Sequence, residues 1–303
     1  DMTQADEPLR LVERETPTPG PGERLLQVEA CGVCHTELDE IEGRTPPSAF
    51  PRILGHQVVG RPVDAGAGVD PPEHDRLGVA WIYSTCGECL HCTADRENLC
   101  ADFQATGRDA DGGYAEYMVV PAAFACPVPD TFDAVQAAPL LCAGAVGYRS
   151  LRLTGIGDGQ RLGLTGFGAS AHLVLQLVRE HYPHTGVYVF ARNADERAFA
   201  RDLGAVWAGD TAAAAPAPLH AVIDTTPAWK PVVEAMANLL PGGRLVINAI
   251  RKQADDQDYL LKLEYDRHLW LEKEIKSVAN VTRRDVADFL RDAAEVPLQP
   301  TVE

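Results

Sequence analysis

The sequence of 303 residues contains no apolar run approaching the roughly 20 residues needed to cross a bilayer. It is also poor in basic residues, since 27 lysines and arginines face 44 aspartates and glutamates, for a formal net charge of −17. Nucleic acids and anionic membrane surfaces bind basic patches, so this balance argues against both as partners. No stretch has the pattern of a secretory signal peptide, and we expect a cytoplasmic protein.

In a chain of this size, eight cysteines do not form the disulfide framework of a small secreted domain. The eight cysteines are Cys31, Cys34, Cys86, Cys89, Cys92, Cys100, Cys126 and Cys142. Their grouping with histidines indicates metal ligands instead. Cys31 and Cys126 fall outside the candidate ligand sets, and we interpret them as small buried hydrophobes.

The stretch from Cys31 to Gly60 carries a thiol and an imidazole, those of Cys34 and His56, separated by a loop. A soft thiolate and a borderline imidazole suit zinc. Cys142, flanked by small residues in an apolar run, is the best candidate for a third ligand. Two cysteines, one histidine and an open position form the zinc ligand set of alcohol dehydrogenases. For any one of the three alone, the alternative is a buried thiol or a core histidine.

A second group of cysteines has the spacing C-x2-C-x2-C-x7-C. Its members are Cys86, Cys89, Cys92 and Cys100. Four thiolates close a tetrahedral shell and leave no position for substrate, so this spacing indicates a structural zinc. His91 lies inside the run but is not needed as a ligand. A redox role or an iron–sulfur cluster is the alternative.

From Gln160 onward, short apolar strands alternate with amphipathic helices, which predicts a parallel sheet. The first of these strands leads into a glycine turn that opens a helix. The turn consists of Gly166, Phe167, Gly168, Ala169, Ser170 and Ala171. The first glycine permits the tight turn, the second lets the backbone approach a pyrophosphate, and Ala171 takes the third small position. A packing turn in some other α/β domain is the alternative.

The first half of the chain reads instead as short strands with Gly/Pro turns, which predicts an all-β, barrel-like domain. We expect a strand–turn–strand over 9–34, two further strands over 112–129, and a helix over 133–153. The run 211–220 is of low complexity and predicts a surface loop. In the second half of the chain, Asn193 is a candidate N-cap of one helix. Thr282 and Asp285 predict a capping pattern at the start of the last helix.

Taken together, CGVCHTEL, GHQVVG, the cysteine cluster, APLLCAG and the glycine turn resemble the zinc-dependent medium-chain alcohol dehydrogenases (the MDR superfamily). The resemblance implies an α/β protein with a GroES-like β-barrel catalytic domain over 1–138, to which 281–303 returns. It implies a Rossmann dinucleotide-binding domain, a doubly wound parallel sheet, over 139–280. Family members usually continue beyond the QPTVE ending with a tail that returns to the first domain.

The resemblance also implies roles for side chains beside the zinc ligands. Thr36 would bond the substrate oxygen and start a proton relay, Glu37 would orient the zinc histidine, and His35 would contact the cofactor. The alternatives are a turn-capping hydroxyl for Thr36 and a solvated charge for Glu37. Trp81 matches a bulky position lining the substrate pocket, although it could equally belong to the core.

Three positions depart from the family pattern. Gln57 stands where a glutamate usually follows the zinc histidine, so water exchange at the metal could differ. Asp39 occupies a relay position often held by histidine, which puts the later steps of the proton path in doubt. Val146 replaces a threonine commonly found near the nicotinamide. None of the three removes a zinc ligand.

The cofactor is expected to be NADP(H) rather than NAD(H). An NAD enzyme places an acidic residue at the end of the second Rossmann strand, where it bonds the ribose 2′-hydroxyl. Here that position is Ala191, followed by Arg192, whose guanidinium suits a phosphate, and by Asn193, a further donor. The alternative is that Arg192 points to solvent and NAD binds through its pyrophosphate, helped by Asp195 or Glu196.

These expectations define an oxidoreductase that carries two zinc ions and interconverts alcohols with aldehydes or ketones by hydride transfer. The family implies a homodimer or homotetramer and a small-molecule substrate. Two alternatives stay open: a zinc-free quinone or enoyl reductase of the same superfamily, and a non-catalytic zinc and nucleotide-binding relative. Cys34, His56 and Cys142 argue against the first, whereas Gln57 and Asp39 favour the second.

Overall fold

The computed structural model describes residues 1–302 as two units. The first contains Asp1–Ala145 and Val281–Glu295, together with 299–302. The second contains Val146–Asn280 and Val296–Leu298. No helix within the described residues is long and apolar enough to cross a membrane.

Short β-strands build the first unit. They are β1 Glu23–Cys31, β2 Val58–Ala65, β3 Leu77–Val79, β4 Ile82–Ser84, β5 Gln104–Ala105, β6 Tyr117–Pro121 and β7 Ala125–Pro127. Five of them form an antiparallel sheet in the order β6-β1-β2-β3-β7, whereas β4 and β5 pair separately. Fully buried apolar side chains such as Leu26, Val58 and Val120 form the core of the sheet, as alternating strand sequences dictate.

Two helices accompany these strands, α1 His35–Ile41 and α2 Ala134–Ala137, and a third, α3 Ala143–Thr154, begins in the first unit and continues into the second. The single helix expected over 133–153 is wrong, because a 3₁₀ turn, Ala138–Leu141, follows α2 and the chain then breaks at Cys142. The backbone of Cys142 has φ −125° and ψ −77°, outside the helical region. A break at this thiol separates it from both helices.

The first arm of the strand–turn–strand expected over 9–34 is also wrong, since residues 9–20 have no regular structure. The apolar side chains of Leu9, Leu11 and Val12 are exposed. Strand β1 pairs with β2 on one side and β6 on the other, so it offers no free edge to this segment. The two strands expected over 112–129 do form, but they occupy opposite edges of the sheet.

The second unit is a six-stranded parallel sheet. Its strands are β8 Arg161–Thr165, β9 Gly186–Phe190, β10 Trp207–Gly209, β11 Leu219–Asp224, β12 Leu239–Ile247 and β13 Glu274–Ser277. Their order, β10-β9-β8-β11-β12-β13, is the doubly wound arrangement of a Rossmann fold. The strand order reverses between β8 and β11, where such sheets bind ligands at the carboxyl ends of the strands.

The helices of this unit follow the strands as the alternation predicts. They are α4 Ala169–His181, α5 Ala194–Asp202 and α6 Lys230–Asn238, with a 3₁₀ helix at Gln257–Lys262 and a π-helix at Tyr265–Leu269. The cap at Asn193 is confirmed, because its side chain accepts from the Asp195 N–H at 2.8 Å. The expected loop over 211–220 ends early, since Leu219 and His220 already belong to β11.

The last helix, α7 Arg283–Glu295, belongs to the first unit. Its predicted capping pattern is confirmed: Thr282 donates from its N–H and its hydroxyl to the Asp285 carboxylate, at 3.0 and 2.7 Å. The backbone N–H of Arg283 bonds the Glu97 carboxylate at 3.0 Å. The return segment is thereby tied to the lobe that carries the cysteine cluster.

Candidate active site

Cys34, His56 and Cys142 come together in the first unit, although they are far apart along the chain. The His56 Nε2 atom lies 3.2 Å from the Cys142 sulfur, and the two sulfurs are 4.0 Å apart. All three potential ligand atoms lie within 4.8 Å of one another. Zinc–sulfur bonds of about 2.3 Å place tetrahedral ligands roughly 3.8 Å apart, so this donor set fits a zinc ion.

Local backbone geometry brings two of these side chains into place. Cys34 is the N-cap of α1, with φ −120° and ψ 161°, and its N–H donates to the Glu37 carboxylate at 2.8 Å. His56 follows Gly55, whose φ is +97°. A Cβ on Gly55 would lie 2.7 Å from both the Cys31 sulfur and the Tyr114 ring, so only glycine fits there.

The Glu37 carboxylate also reaches the candidate zinc histidine. Its Oε1 lies 2.5 Å from the Nδ1 of His56, and each side chain is 1% exposed. Burial alone would lower the pKa of His56, but the charges of Glu37 and Cys34 raise it to about 10. The alternative of a solvated charge for Glu37 is excluded by its burial, and the contact is the one that the resemblance implies.

The pKa values of the two thiols of the site are shifted in opposite directions. A hydrogen bond with Cys142, together with His56, lowers the pKa of Cys34 well below its usual value despite burial. The same bond and burial raise the pKa of Cys142. The Thr36 hydroxyl oxygen is buried and lies 3.6 Å from the Cys34 sulfur. Thr36 thus sits at the cluster, where the resemblance expects it.

Trp81 and Gln57 also border this cluster. The Trp81 ring packs edge-on to the His56 ring with a centroid distance of 4.8 Å, and Trp81 is buried. The Arg108 guanidinium lies 5.7 Å from the centre of the indole. Gln57 is buried as well, and its side chain packs so closely on Gly32 that a Cβ there would meet it at 3.1 Å.

His35 and Asp39 lie on the other flank of α1. The His35 side chain is largely exposed, with its Nε2 atom 3.9 Å from the Asp39 carboxylate. The Asp39 carboxylate is buried and accepts a 2.6 Å bond from the Arg44 guanidinium. The relay position therefore holds an anion that is already paired.

Glu40 is buried and Tyr114 is half-buried, and the sequence analysis missed both polar side chains. Glu40 is 1% exposed, and neither of its carboxylate oxygens has a hydrogen-bond partner within residues 1–302; the same is true of the Tyr114 hydroxyl. Burial raises the pKa of Glu40 to about 8, and the charge of His56 partly opposes this shift. The available signal was the spacing, because Glu40 follows Glu37 by one helical turn.

The four cysteines of the second cluster also converge. Cys86 and Cys92 are separated by 3.8 Å between sulfurs, Cys89 and Cys92 by 3.6 Å, and Cys100 and Cys86 by 3.5 Å. These separations match the edge of about 3.8 Å expected for a tetrahedral zinc with four thiolates. The two remaining cysteines lie outside both groups: Cys126 is buried, and burial raises the pKa of Cys31 to about 12.

The glycine turn lies at the carboxyl end of β8. Gly166 has φ +75°, and a Cβ on it would lie 2.8 Å from the Thr225 hydroxyl, so the position requires glycine. Gly168 is the N-cap of α4, and a Cβ there would meet nothing within 4 Å. Ala171 and Phe167 are buried. The open space at a helix N-terminus is the arrangement that receives a phosphate.

The end of β9 carries the residues expected to read the cofactor ribose. Ala191 is 2% exposed, whereas Arg192 and Asn193 are exposed. Arg197 donates to the backbone carbonyls of Ala191 and Arg192, at 2.7 Å each. The turn therefore presents the Arg192 side chain from a backbone that Arg197 holds in place.

Comparison with known proteins agrees with this architecture. Residues 20–130 match the family described as "Alcohol dehydrogenase GroES-like domain". The "Probable alcohol dehydrogenase AdhA" of Mycobacterium tuberculosis is 42% identical over 97% of this chain and 85% of its own length. The chain therefore belongs to the medium-chain alcohol dehydrogenases, whose GroES-like and Rossmann folds it shares.

Two solved structures are also similar. One, from Sinorhizobium meliloti 1021, is described as a zinc-binding dehydrogenase bound to NADP; it is 30% identical and has a TM-score of 0.80 over 92% of this chain and 84% of its own. The other is acetophenone reductase from Geotrichum candidum in complex with NAD, 26% identical, with a TM-score of 0.80 over 95% and 84%. Both nicotinamide cofactors thus occur among similar proteins.

Proposed function

We propose that the protein is a zinc-dependent alcohol dehydrogenase or aldehyde reductase that uses NADP(H). The observation that carries the proposal is the convergence of Cys34, His56 and Cys142, with Glu37 2.5 Å from the imidazole nitrogen that faces away from the thiols. A histidine that ligates a metal usually pairs its other ring nitrogen with a carboxylate in this way. A zinc-free reductase would have no use for this set.

The chain's own residues then have separate tasks. Cys34, Cys142 and the His56 Nε2 would hold the metal, and Glu37 would fix the orientation and tautomer of the imidazole. When bound, zinc supplies a Lewis acid that polarises the substrate oxygen, and the nicotinamide supplies or accepts the hydride. Thr36 would hydrogen-bond the substrate oxygen and carry its proton away.

Beyond Thr36, the proton path must differ from the usual one. Asp39 stands at the relay position and is bonded to Arg44 at 2.6 Å. An ion-paired carboxylate holds a proton less readily than histidine near neutral pH. We infer that protons leave Thr36 through water or the exposed His35 rather than through Asp39. Gln57 brings no charge to the site, and Trp81 would form one wall of the substrate pocket.

A second zinc would occupy the four-cysteine cluster and act on stability alone. Its four sulfurs complete a tetrahedral shell and leave no open position. Because Glu97 and Asp95 of this lobe bond Arg283 and Arg284, the closed zinc would also hold the start of α7 in place. We assign this site a structural role.

The second unit would bind the dinucleotide at the glycine turn, with the pyrophosphate at the N-terminus of α4. Ala191 offers no carboxylate to repel a 2′-phosphate, and the exposed Arg192 supplies a guanidinium beside it. Asp195 and Glu196 lie in the first turn of α5, where their charges favour the helix and not the phosphate. NADP(H) is therefore the cofactor we propose.

The test combines metal analysis with turnover. We expect two zinc ions per chain by elemental analysis, together with oxidation of simple alcohols or reduction of aldehydes and ketones, faster with the NADP(H) pair. A protein with full zinc and bound nucleotide but no turnover across such a panel would be a non-catalytic relative. Turnover without any metal would indicate a zinc-free reductase, and either result would overturn the proposal.

A further inference from the structure

A buried ion pair lies at the carboxyl edge of the parallel sheet, apart from the residues assigned so far. Asp224, the last residue of β11, is completely buried, and the side chain of Lys252 is 9% exposed. The Lys252 ammonium donates to Asp224 Oδ2. Lys252 belongs to the segment after β12, so the pair joins two neighbouring strands beyond their ends.

The other oxygen of Asp224 extends this connection to the glycine turn. It accepts from the Thr165 hydroxyl at 2.5 Å, the Thr226 hydroxyl at 2.8 Å and the Thr226 N–H at 3.3 Å. Thr165 is the last residue of β8 and directly precedes Gly166. One carboxylate therefore links the end of β8 with the loop that follows β11.

Lys252 uses its remaining donors on the same loop. Its Nζ donates to the carbonyls of Thr226 at 2.8 Å and Ala228 at 3.0 Å, and it lies 6.0 Å from the Trp229 ring centre. An ammonium group has three donors, and Lys252 commits all three within this network. The segment after β12 is thus held to the loop after β11 by one side chain.

Two further contacts hold these segments together. The Gln253 N–H donates to the Pro227 carbonyl at 2.7 Å. The Asp256 carboxylate accepts from the N–H groups of Trp229 at 2.9 Å and Lys230 at 2.8 Å, which caps α6. The end of β8 and the loops after β11 and β12 therefore form one hydrogen-bonded body with the Asp224–Lys252 pair at its centre.

A buried ion pair is a poor source of stability, because desolvation of both charges offsets most of their attraction. Such a pair does fix a geometry. The segments fixed here are the end of β8 and the loops after β11 and β12, and ligands bind at this edge of an open α/β sheet. Thr225 lies between Asp224 and Thr226 in the sequence. Its hydroxyl oxygen would lie 2.8 Å from a Cβ on Gly166, so the network packs against the glycine turn.

We propose that Lys252 is a positioning residue for the cofactor, which acts through Asp224 to hold the end of β8 and the loops after β11 and β12 in the conformation that receives the dinucleotide. The inference rests on the proposed function, because it assumes that this unit binds a nicotinamide cofactor. Without Lys252, these loops must be ordered when the cofactor binds, and this uses part of the binding free energy. The affinity for cofactor then falls, while the reacting atoms are unaffected.

The test compares Lys252→Met with Lys273→Met. Lys273 is a matched control. It is also a half-buried lysine of this unit, and it donates to two carbonyls, those of Met236 at 3.1 Å and Arg267 at 2.8 Å. It directly precedes β13 and therefore lies at the amino ends of the parallel strands, away from the carboxyl edge. The dissociation constants for NADPH and NADH are measured by fluorescence titration, with Tm, zinc content and kcat recorded for the full-length chain.

We expect Lys252→Met to raise the dissociation constant for the cofactor by about tenfold or more, because the loops must then be ordered when the cofactor binds. Its kcat at saturating cofactor and its zinc content should change little. Lys273→Met should lower Tm without weakening nucleotide binding. Unchanged affinity in Lys252→Met, or an equal loss in Lys273→Met, would overturn the inference.

A double variant covers the case in which Lys252→Met leaves an unpaired buried charge and fails to fold. Asp224→Asn with Lys252→Met removes both charges and should fold with the same weakened affinity; wild-type affinity in the double variant would also overturn the inference. If the wild type binds neither NADPH nor NADH, the proposed function fails first, and the two failures are thereby distinguished.

Discussion

The Glu37 carboxylate and the His56 imidazole meet at 2.5 Å, and each side chain is 1% exposed. The same carboxylate accepts the N–H of Cys34 at 2.8 Å. One side chain therefore caps the helix that carries the first candidate ligand and orients the second. Glu37 therefore connects the start of α1 with the placement of His56 in the candidate metal site.

The first prediction concerns this contact. Glu37→Gln keeps the size of the side chain and removes its charge, so the His56 ring loses the partner that fixes it. We expect zinc affinity to fall by about 10- to 100-fold, the usual effect of losing such a partner. Competition titration of zinc against a chelator measures the change.

Glu40→Gln is the matched control, because Glu40 lies on the same helix, is equally buried and undergoes the same exchange of a carboxyl for an amide. It should lose much less affinity, since the 2.5 Å contact with His56 belongs to Glu37. Equal losses in both variants would mean that replacing any buried carboxyl of α1 lowers zinc affinity and that the contact with His56 does not account for the effect.

The second prediction separates the two cysteine sites. Cys89→Ser opens the closed four-thiolate shell, so it should lower Tm and leave kcat close to that of the wild type in the protein that stays folded. Cys34→Ser removes a ligand of the open site and should abolish turnover with a smaller effect on Tm. Thermal unfolding and steady-state kinetics on both variants check this, and similar behaviour of the two would refute the division of roles.

Much of the site was predictable because metal chemistry leaves a trace in residue types and spacing. The four cysteines from Cys86 to Cys100 and the glycines of the turn at Gly166 are local patterns, and the structure brings each group together. The ion pair between Asp224 and Lys252 was not predictable. An aspartate and a lysine 28 positions apart carry no recognisable pattern, and the parallel pairing of β11 with β12 is what brings their segments together.

The errors have an equally physical origin. The segment 9–20 alternates apolar and polar residues, but a strand forms only where a partner edge is free, and both edges of β1 are taken. The stretch 133–153 has helical composition, but the backbone breaks at Cys142. Tertiary pairing in the first case and a candidate ligand in the second override the local preference.

The third prediction concerns Thr36. Thr36→Val preserves the shape of the buried side chain and removes the hydroxyl that lies 3.6 Å from the Cys34 sulfur. Assistance by general acid–base groups is worth roughly 10²–10⁴-fold, so kcat should fall by a factor in that range. Zinc content and the dissociation constant for cofactor should stay near wild type, and a variant with almost full kcat would remove Thr36 from the mechanism.

The fourth prediction concerns cofactor choice. Arg192→Ala removes the exposed guanidinium after the end of β9. The ratio of kcat/KM for NADP(H) to that for NAD(H) should fall by about tenfold or more, because one strong charge-assisted contact is lost. Arg192→Lys keeps the charge without the planar fork and should fall between the two. A wild type that prefers NAD(H), or a ratio that Arg192→Ala leaves unchanged, would contradict the assignment.

The fifth prediction concerns the pH dependence of stability in the first unit. Glu29 on β1 accepts from Arg61 at 2.5 Å and from Arg76 at 2.7 Å. Burial opposes the shift, but the bonds with Arg76 and Arg61 hold the pKa of Glu29 below its ordinary value of 4.5. A lowered folded-state pKa means that the carboxylate stabilises the fold above pH 4.5 and loses this contribution as pH falls through the folded-state value.

Glu29→Gln should therefore lower the free energy of unfolding at pH 7 by about 1 kcal/mol or less, since the carboxylate is one-quarter exposed and exposed pairs contribute little. The difference from wild type should shrink as the pH falls below 4.5 and disappear below the folded-state pKa of Glu29, where both proteins carry an uncharged side chain. Urea unfolding at neutral and acidic pH measures it, with Glu15→Gln in the exposed segment before β1 as the control. A difference that stays constant over this range would show that packing, and not charge, accounts for the effect.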